Sequence, residues 1–267
     1  MSVSKKRIVV KVGTSTITNS EGNIDIRSLD HLCRALAGVE NMGYDLVLVS
    51  SGAIAVGAGK MRLSQKPKEI RMKQAAAAVG QTELMHLYDK FFGEYGRMVG
   101  QILLDNEDIA NPTRSENLKN TFEALLENHI IPIVNENDSV THAEIESEKK
   151  LFSDNDMLSA FVAVFCNACK LIIFSDIDGL YDGNPSTDPN AKLISRVEEI
   201  TTELKSIASG SGSNRGTGGM ITKLEAAEYA TAHGIDVLVT NGKNPEKLYD
   251  IIEKKKVGTL FVAKANS

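Results

Sequence analysis

Short runs of β-branched and aliphatic residues alternate along this chain with longer stretches in which apolar positions recur at helical spacing. The apolar runs at 8–12, 46–50, 99–103, 131–134, 171–175 and 236–240 predict strands. Between and after them, 26–42, 70–95, 115–128, 153–167, 223–233 and 245–255 predict helices. Strands that are apolar throughout and separated by helices belong to a parallel sheet covered on both faces. The expected fold is therefore α/β, a three-layer α/β/α sandwich with a mainly parallel central sheet. Gly43 and Gly234 fall just past helix ends, and Asn244-Pro245 suits an N-cap followed by a first helical residue. The Ser/Gly run at 209–213 predicts a mobile loop.

A length of 267 residues is long for one domain and short for two, which predicts a single domain with two lobes. With 42% hydrophobic and 24% charged residues the chain can bury a sizeable core. A net charge of −5 gives no reason to expect nucleic acid or an anionic membrane as partner. An anionic ligand would have to be held by local lysines and backbone amides. Three cysteines are sparse and odd in number, which fits a reducing cytoplasm. The apolar stretch at 157–166 is too short to cross a membrane, and the basic start leads into a run too brief and too interrupted for a signal peptide.

Ligands of open α/β sheets gather at the carboxyl ends of the strands. Gly13-Thr14-Ser15-Thr16, Ser50-Ser51-Gly52-Ala53, Asn135-Glu136-Asn137-Asp138 and Ser175-Asp176-Ile177-Asp178-Gly179 stand at four such ends. Lys11 interrupts the first apolar run. It either snorkels to water from an edge strand or reaches an anion at the sheet's edge, and Gly13 close by permits the approach of a ligand. Lys223 opposes the dipole of the helix it opens, a conflict removed by an anion bound to that helix end and the amides of Thr217 to Met220. The hydroxyls of Ser50 and Ser51 and the amides of the turn after them offer a second anion cradle, or simply a tight turn. The clusters at 135–138 and 153–156 suit capping as well as ligand binding.

Other chemistries lose their support. Cys166-Asn167-Ala168-Cys169 closes a helix instead of opening one and has no second pair for zinc. The five histidines form no HExxH pattern. GxGxxG is absent, and Thr222-Lys223 lacks the glycine that a P-loop places beside its lysine.

Taken in order, KVGTST (11–16), VSSGAIAVG (49–57), QAAAAVGQ (74–81), IPIVNEND (131–138), SDNDMLSA (153–160), SDIDGLY (175–181) and GTGGMITKLEAA (216–227) resemble the amino-acid kinase superfamily, and within it the glutamate 5-kinase family. The likeness extends to VGTLF at 257–261. It implies transfer of the γ-phosphoryl group of ATP to the side-chain carboxylate of L-glutamate, giving an acyl phosphate on the route to proline. Alternatives are a superfamily kinase acting on N-acetylglutamate, aspartate, carbamate or UMP, or a non-catalytic nucleotide sensor. The resemblance also implies residue roles. Lys11 and Lys223 bridge the transferring phosphoryl group and Asp156 orients them. Ser51, Gly52, Asp138 and Asn155 contact glutamate. Ser175, Asp176 and the loop of Thr217, Gly218, Gly219, Met220, Ile221, Thr222 and Lys223 hold the nucleotide, together with Lys11. Ser175 stands where the family pattern often has threonine, which keeps the hydroxyl. Mg²⁺ is expected on the phosphates, with no side chain assigned as its ligand. An amino-acid lobe over about 1–170 and a nucleotide lobe over about 171–267 follow. So do a cytoplasmic homo-oligomer (dimer or tetramer), feedback inhibition by proline, and a form without the C-terminal PUA domain of many bacterial members. A glutamate carboxylate is already ionised at neutral pH, its reference pKa being about 4.3, so the chemistry needs charge shielding and alignment rather than a general base.

Overall fold

The structure is a computed structural model that describes residues 6–19, 22–140, 154–185, 187–210 and 219–264. The chain opens with β1 (Arg7–Val12), α1 (Thr14–Ile17) and α2 (Ile26–Asn41). Strand β2 (Asp45–Ser50) leads into the helix pair α3 (Ala53–Lys60) and α4 (Ile70–Glu94). Then come β3 (Met98–Leu104), α5 (Asn106–Ala110), α6 (Pro112–Glu127), β4 (Ile130–Glu136), α7 (Asn155–Phe165) and β5 (Lys170–Ser175). The described chain is completed by β6 (Arg196–Val197), α8 (Thr202–Gly210), α9 (Met220–Ala232), β7 (Asp236–Asn241), α10 (Lys247–Ile252) and β8 (Thr259–Phe261).

All eight strands join one sheet in the order β3-β4-β2-β1-β5-β7-β8-β6. Every pairing from β3 across to β7 is parallel, and β8 runs antiparallel to β7. Alternation along the strands sends side chains into two cores. Val9, Val49 and Ile173 pack with α6, α7, α8 and α9 on one face. Ile8, Val10, Leu48 and Ile172 pack with α2, α4 and α10 on the other. This is the expected sandwich. Strands β1 to β4 fill one half of the sheet and β5 to β8 the other.

The differences from the sequence expectation lie at element ends and in short pieces. The helix expected from residue 115 starts at Pro112, because the Asn111 side chain accepts from the amides of Thr113 (3.0 Å) and Arg114 (3.1 Å). The helix expected from 153 starts at Asn155 behind the N-cap Asp154, with Ser153 outside the described residues. The Asn244-Pro245 signal instead makes a turn, closed by Lys247 N to Asn244 O at 3.2 Å, before α10 begins. Ser209 and Gly210 close α8 instead of opening a loop, and 211–213 lie outside the described residues. The edge strand β6 and its neighbour β8 are too short to show an apolar period. Cys166 caps the end of α7, and burial pushes its thiol up to about 12, which disfavours the reactive thiolate.

The small residues of VSSGAIAVG and QAAAAVGQ let α3 and α4 touch main chain to main chain. A Cβ on Gly57 would stand 1.8 Å from the Ala76 carbonyl oxygen, and one on Gly80 1.8 Å from that of Ala53. Gly80→Ala is therefore expected to lose roughly 1–3 kcal/mol by overpacking, read as a lower urea midpoint.

Candidate active site

The chain leaves β1 towards β2 on one side and returns through β5 on the other, so the carboxyl ends of β1 and β5 part at a topological switch point. A cleft of about 350 Å³ opens there. Lys11 and Gly13 from β1 and its turn, Ser51 and Gly52 after β2, and Asp138 beyond β4 line it. Asn155 and Asp156 on α7, Ser175 and Asp176 at the end of β5, and Lys223 on α9 complete the expected residues found there.

Lys11 lies on the central strand of the sheet, which excludes the edge-strand reading. Its side chain is on the face covered by α7 and α9, and its Nζ is 2.6 Å from Asp156 Oδ1. Lys223, the fourth residue of α9, brings its Nζ to 3.1 Å from Asp156 Oδ2. Lysines more than two hundred positions apart thus meet on the two oxygens of one carboxylate, which is only 2% exposed. Burial pushes the Asp156 carboxyl upward. The charges of Lys11 and Lys223, with hydrogen bonds from Lys11 and Thr222, outweigh that and hold it below the usual carboxylate range. Asp156 is placed there by its own helix start: the Asp154 carboxylate caps α7 by accepting from the amides of Asp156 (2.9 Å) and Met157 (3.0 Å).

Side-chain amides form a second network beside it. Asn155 Nδ2 donates to Ser51 Oγ at 2.7 Å and to Asn135 Oδ1 at 3.0 Å. Asn135 Nδ2 in turn donates to Gln81 Oε1 at 3.1 Å, tying the cleft to α4. Gly52 adopts φ +104°, a left-handed conformation natural to glycine, and starts α3 with no side-chain cap, so the first amides of that helix are left for a ligand. Gly219 likewise starts α9 with no side-chain cap. At Gly13 a Cβ would stand 3.7 Å from Lys11 Nζ, in front of the ammonium.

Several residues differ from expectation. The Ser50 hydroxyl is buried 2.8 Å from Tyr88 OH and does not line the cleft, so the anion cradle after β2 has one hydroxyl, from Ser51. Gly219, Met220, Ile221 and Thr222 form the start of α9 without lining the cleft. Met220 is in the core, and Thr222 Oγ1 is 2.9 Å from Asp156 Oδ2. Thr217 and Gly218 lie outside the described residues. Asn135 and Gln81 had been present only as members of longer motifs. Lys66 lines the cleft from the loop between α3 and α4, where no periodicity or motif marked it. Among the described residues, no three His, Cys, Asp or Glu side chains form a metal-holding group, and no helix is long and apolar enough to cross a membrane.

Residues 6–241 match the amino acid kinase family. Glutamate 5-kinase of Clostridium perfringens is 54% identical over 259 residues, covering 97% of this chain and 96% of that relative. Glutamate 5-kinase of Listeria innocua is 50% identical over 261 residues, 98% of this chain and 94% of the relative. Among solved structures, carbamate kinase from Giardia lamblia bound to AMP-PNP superposes with a TM-score of 0.67 at 14% identity, covering 98% of this chain and 99% of the other. UMP kinase from Bacillus anthracis gives 0.64 at 14% identity, covering 97% of each chain. At such identities these two speak for the fold alone. The relatives and the fold agree, and the chain belongs to the amino acid kinase family, in its glutamate 5-kinase branch.

Proposed function

We propose that the protein transfers the γ-phosphoryl group of ATP to the side-chain carboxylate of L-glutamate, the first step of proline biosynthesis. The observation that carries this reading is the convergence of Lys11 and Lys223 on Asp156 at the switch point. The glutamate carboxylate is a ready nucleophile, and the barrier is its approach to a polyanion. In this reading Lys11 and Lys223 transfer their ammonium groups from Asp156 toward the phosphoryl oxygens as charge builds there, and Asp156 keeps both aimed. Asn155 and Ser51 orient the substrate with the first amides of α3 beside Gly52, and Asp138 takes its α-ammonium.

The nucleotide lies over β5 and α9, with Ser175, Asp176 and the start of α9 from Gly219 through Thr222 near its phosphates; the family resemblance adds Thr217 and Gly218 to its contacts. This assigns the amino acid to the lobe of about 1–170 and ATP to that of about 171–267. The family resemblance adds a Mg²⁺ on the phosphates, with no side chain assigned as its ligand. When bound, Mg²⁺ supplies further neutralisation of phosphate charge. The family resemblance extends the proposal to a cytoplasmic homo-oligomer inhibited by proline.

Coupled ADP release with glutamate, N-acetylglutamate and aspartate tests the assignment, with glutamate expected to be the preferred acceptor. An acetylated substrate has no α-ammonium for Asp138 to pair with. Asp138→Asn is expected to raise the KM for glutamate about tenfold or more and to narrow its advantage over N-acetylglutamate. Preference for another acceptor in the wild-type protein would overturn the proposal.

A further inference from the structure

Five carboxylates and three ammonium groups line the cleft. Two of the ammonium groups, those of Lys11 and Lys223, are engaged on Asp156. The third belongs to Lys66, and among the described residues no carboxylate pairs with it. Lys66 stands in the α3–α4 loop and lines the same cleft as Ser51, just before α3, and Ile54 and Ala55 in its first turn. Its main chain is anchored: Pro67, the next residue, is buried, and the residue before a proline is confined to extended conformations. An exposed cation, with no carboxylate partner among the described residues, is thus carried by an anchored backbone in a cleft that must admit an acidic molecule.

An acidic amino acid presents three charges. In the reading above, its side-chain carboxylate faces the phosphoryl group that Lys11 and Lys223 bridge, and its ammonium goes to Asp138. The α-carboxylate is left with the amides at the start of α3, and Lys66 is the cation of the same cleft that no carboxylate among the described residues engages. We infer that Lys66 is a substrate-binding and specificity-determining residue that pairs with the α-carboxylate of the amino-acid substrate. It offsets the negative charge of Glu136 and Asp138 on the way in, and it sets acids bearing a free α-carboxylate apart from those in which it is blocked. The inference rests on the proposed glutamate kinase activity.

The test compares glutamate with its α-amide, which keeps the ammonium and the side-chain carboxylate, as acceptors for wild type, Lys66→Met and Lys66→Arg at saturating ATP. Lys66→Met is expected to raise the KM for glutamate roughly ten- to a hundredfold, as loss of a charge-assisted contact does. The KM for the α-amide and that for ATP should stay within about twofold of wild type, so that the preference for glutamate over its amide contracts; Lys66→Arg should restore most of it. An unchanged KM for glutamate, or an equal rise for both acceptors, overturns the role given to Lys66. Absence of glutamate turnover in the wild type would instead defeat the activity on which it rests.

Discussion

Replacing Lys223 with alanine is expected to lower kcat by a factor of at least about 10²–10³ while glutamate still binds. The residue is 6% exposed and its ammonium is already poised against Asp156, so the charge is held in position before any nucleotide arrives. A preorganised cation of this kind acts on charge that grows in the transition state, and its loss falls on turnover instead of on ground-state affinity. The proposed glutamate contacts, Ser51, Asn155 and Asp138, come from other elements and are untouched by the change. Steady-state kinetics with calorimetric titration of glutamate separates the two quantities. Near-normal kcat in this variant would remove Lys223 from the reaction.

Asp156→Asn is expected to damage stability as well as turnover. It leaves Lys11 and Lys223 buried together without a counter-charge, and breaking a buried pair in this way costs about 3–5 kcal/mol. The pH dependence distinguishes this from a general packing defect. The folded carboxyl is held below its unfolded value, so its contribution is fully present above about pH 4 and is lost as pH falls through the lower folded value. The difference in melting temperature between wild type and variant should therefore be constant from about pH 5 to 8 and contract below about pH 4. A gap that widens in acid contradicts the ion triad.

Most of the sheet was legible because its central strands carry unbroken aliphatic runs, and such runs admit few other placements. Lys11 was legible for the opposite reason, as a charge where the pattern allows none. Lys223 could be marked as a misfit at a helix start, but composition and spacing could not say that Asp156 would take up both ammonium groups. That pairing depends on the sheet order, which brings β1 under α7 and α9. Ser50 and Ser51 are equivalent as letters. Only the twofold alternation of β2 and the position of Tyr88 send one inward and leave the other in the cleft. Lys66 had no signal, since a lysine in a polar loop is the commonest of surfaces.

The contact of α3 with α4 through Gly57 and Gly80 bears on how this cleft can evolve. Backbone rests on backbone there, so no rotamer can swing aside to make room beneath Ser51. That side behaves as a die of fixed shape. Room for a bulkier acceptor has to be gained away from that helix pair, and the tolerance of this scaffold for new substrates is lopsided from the outset.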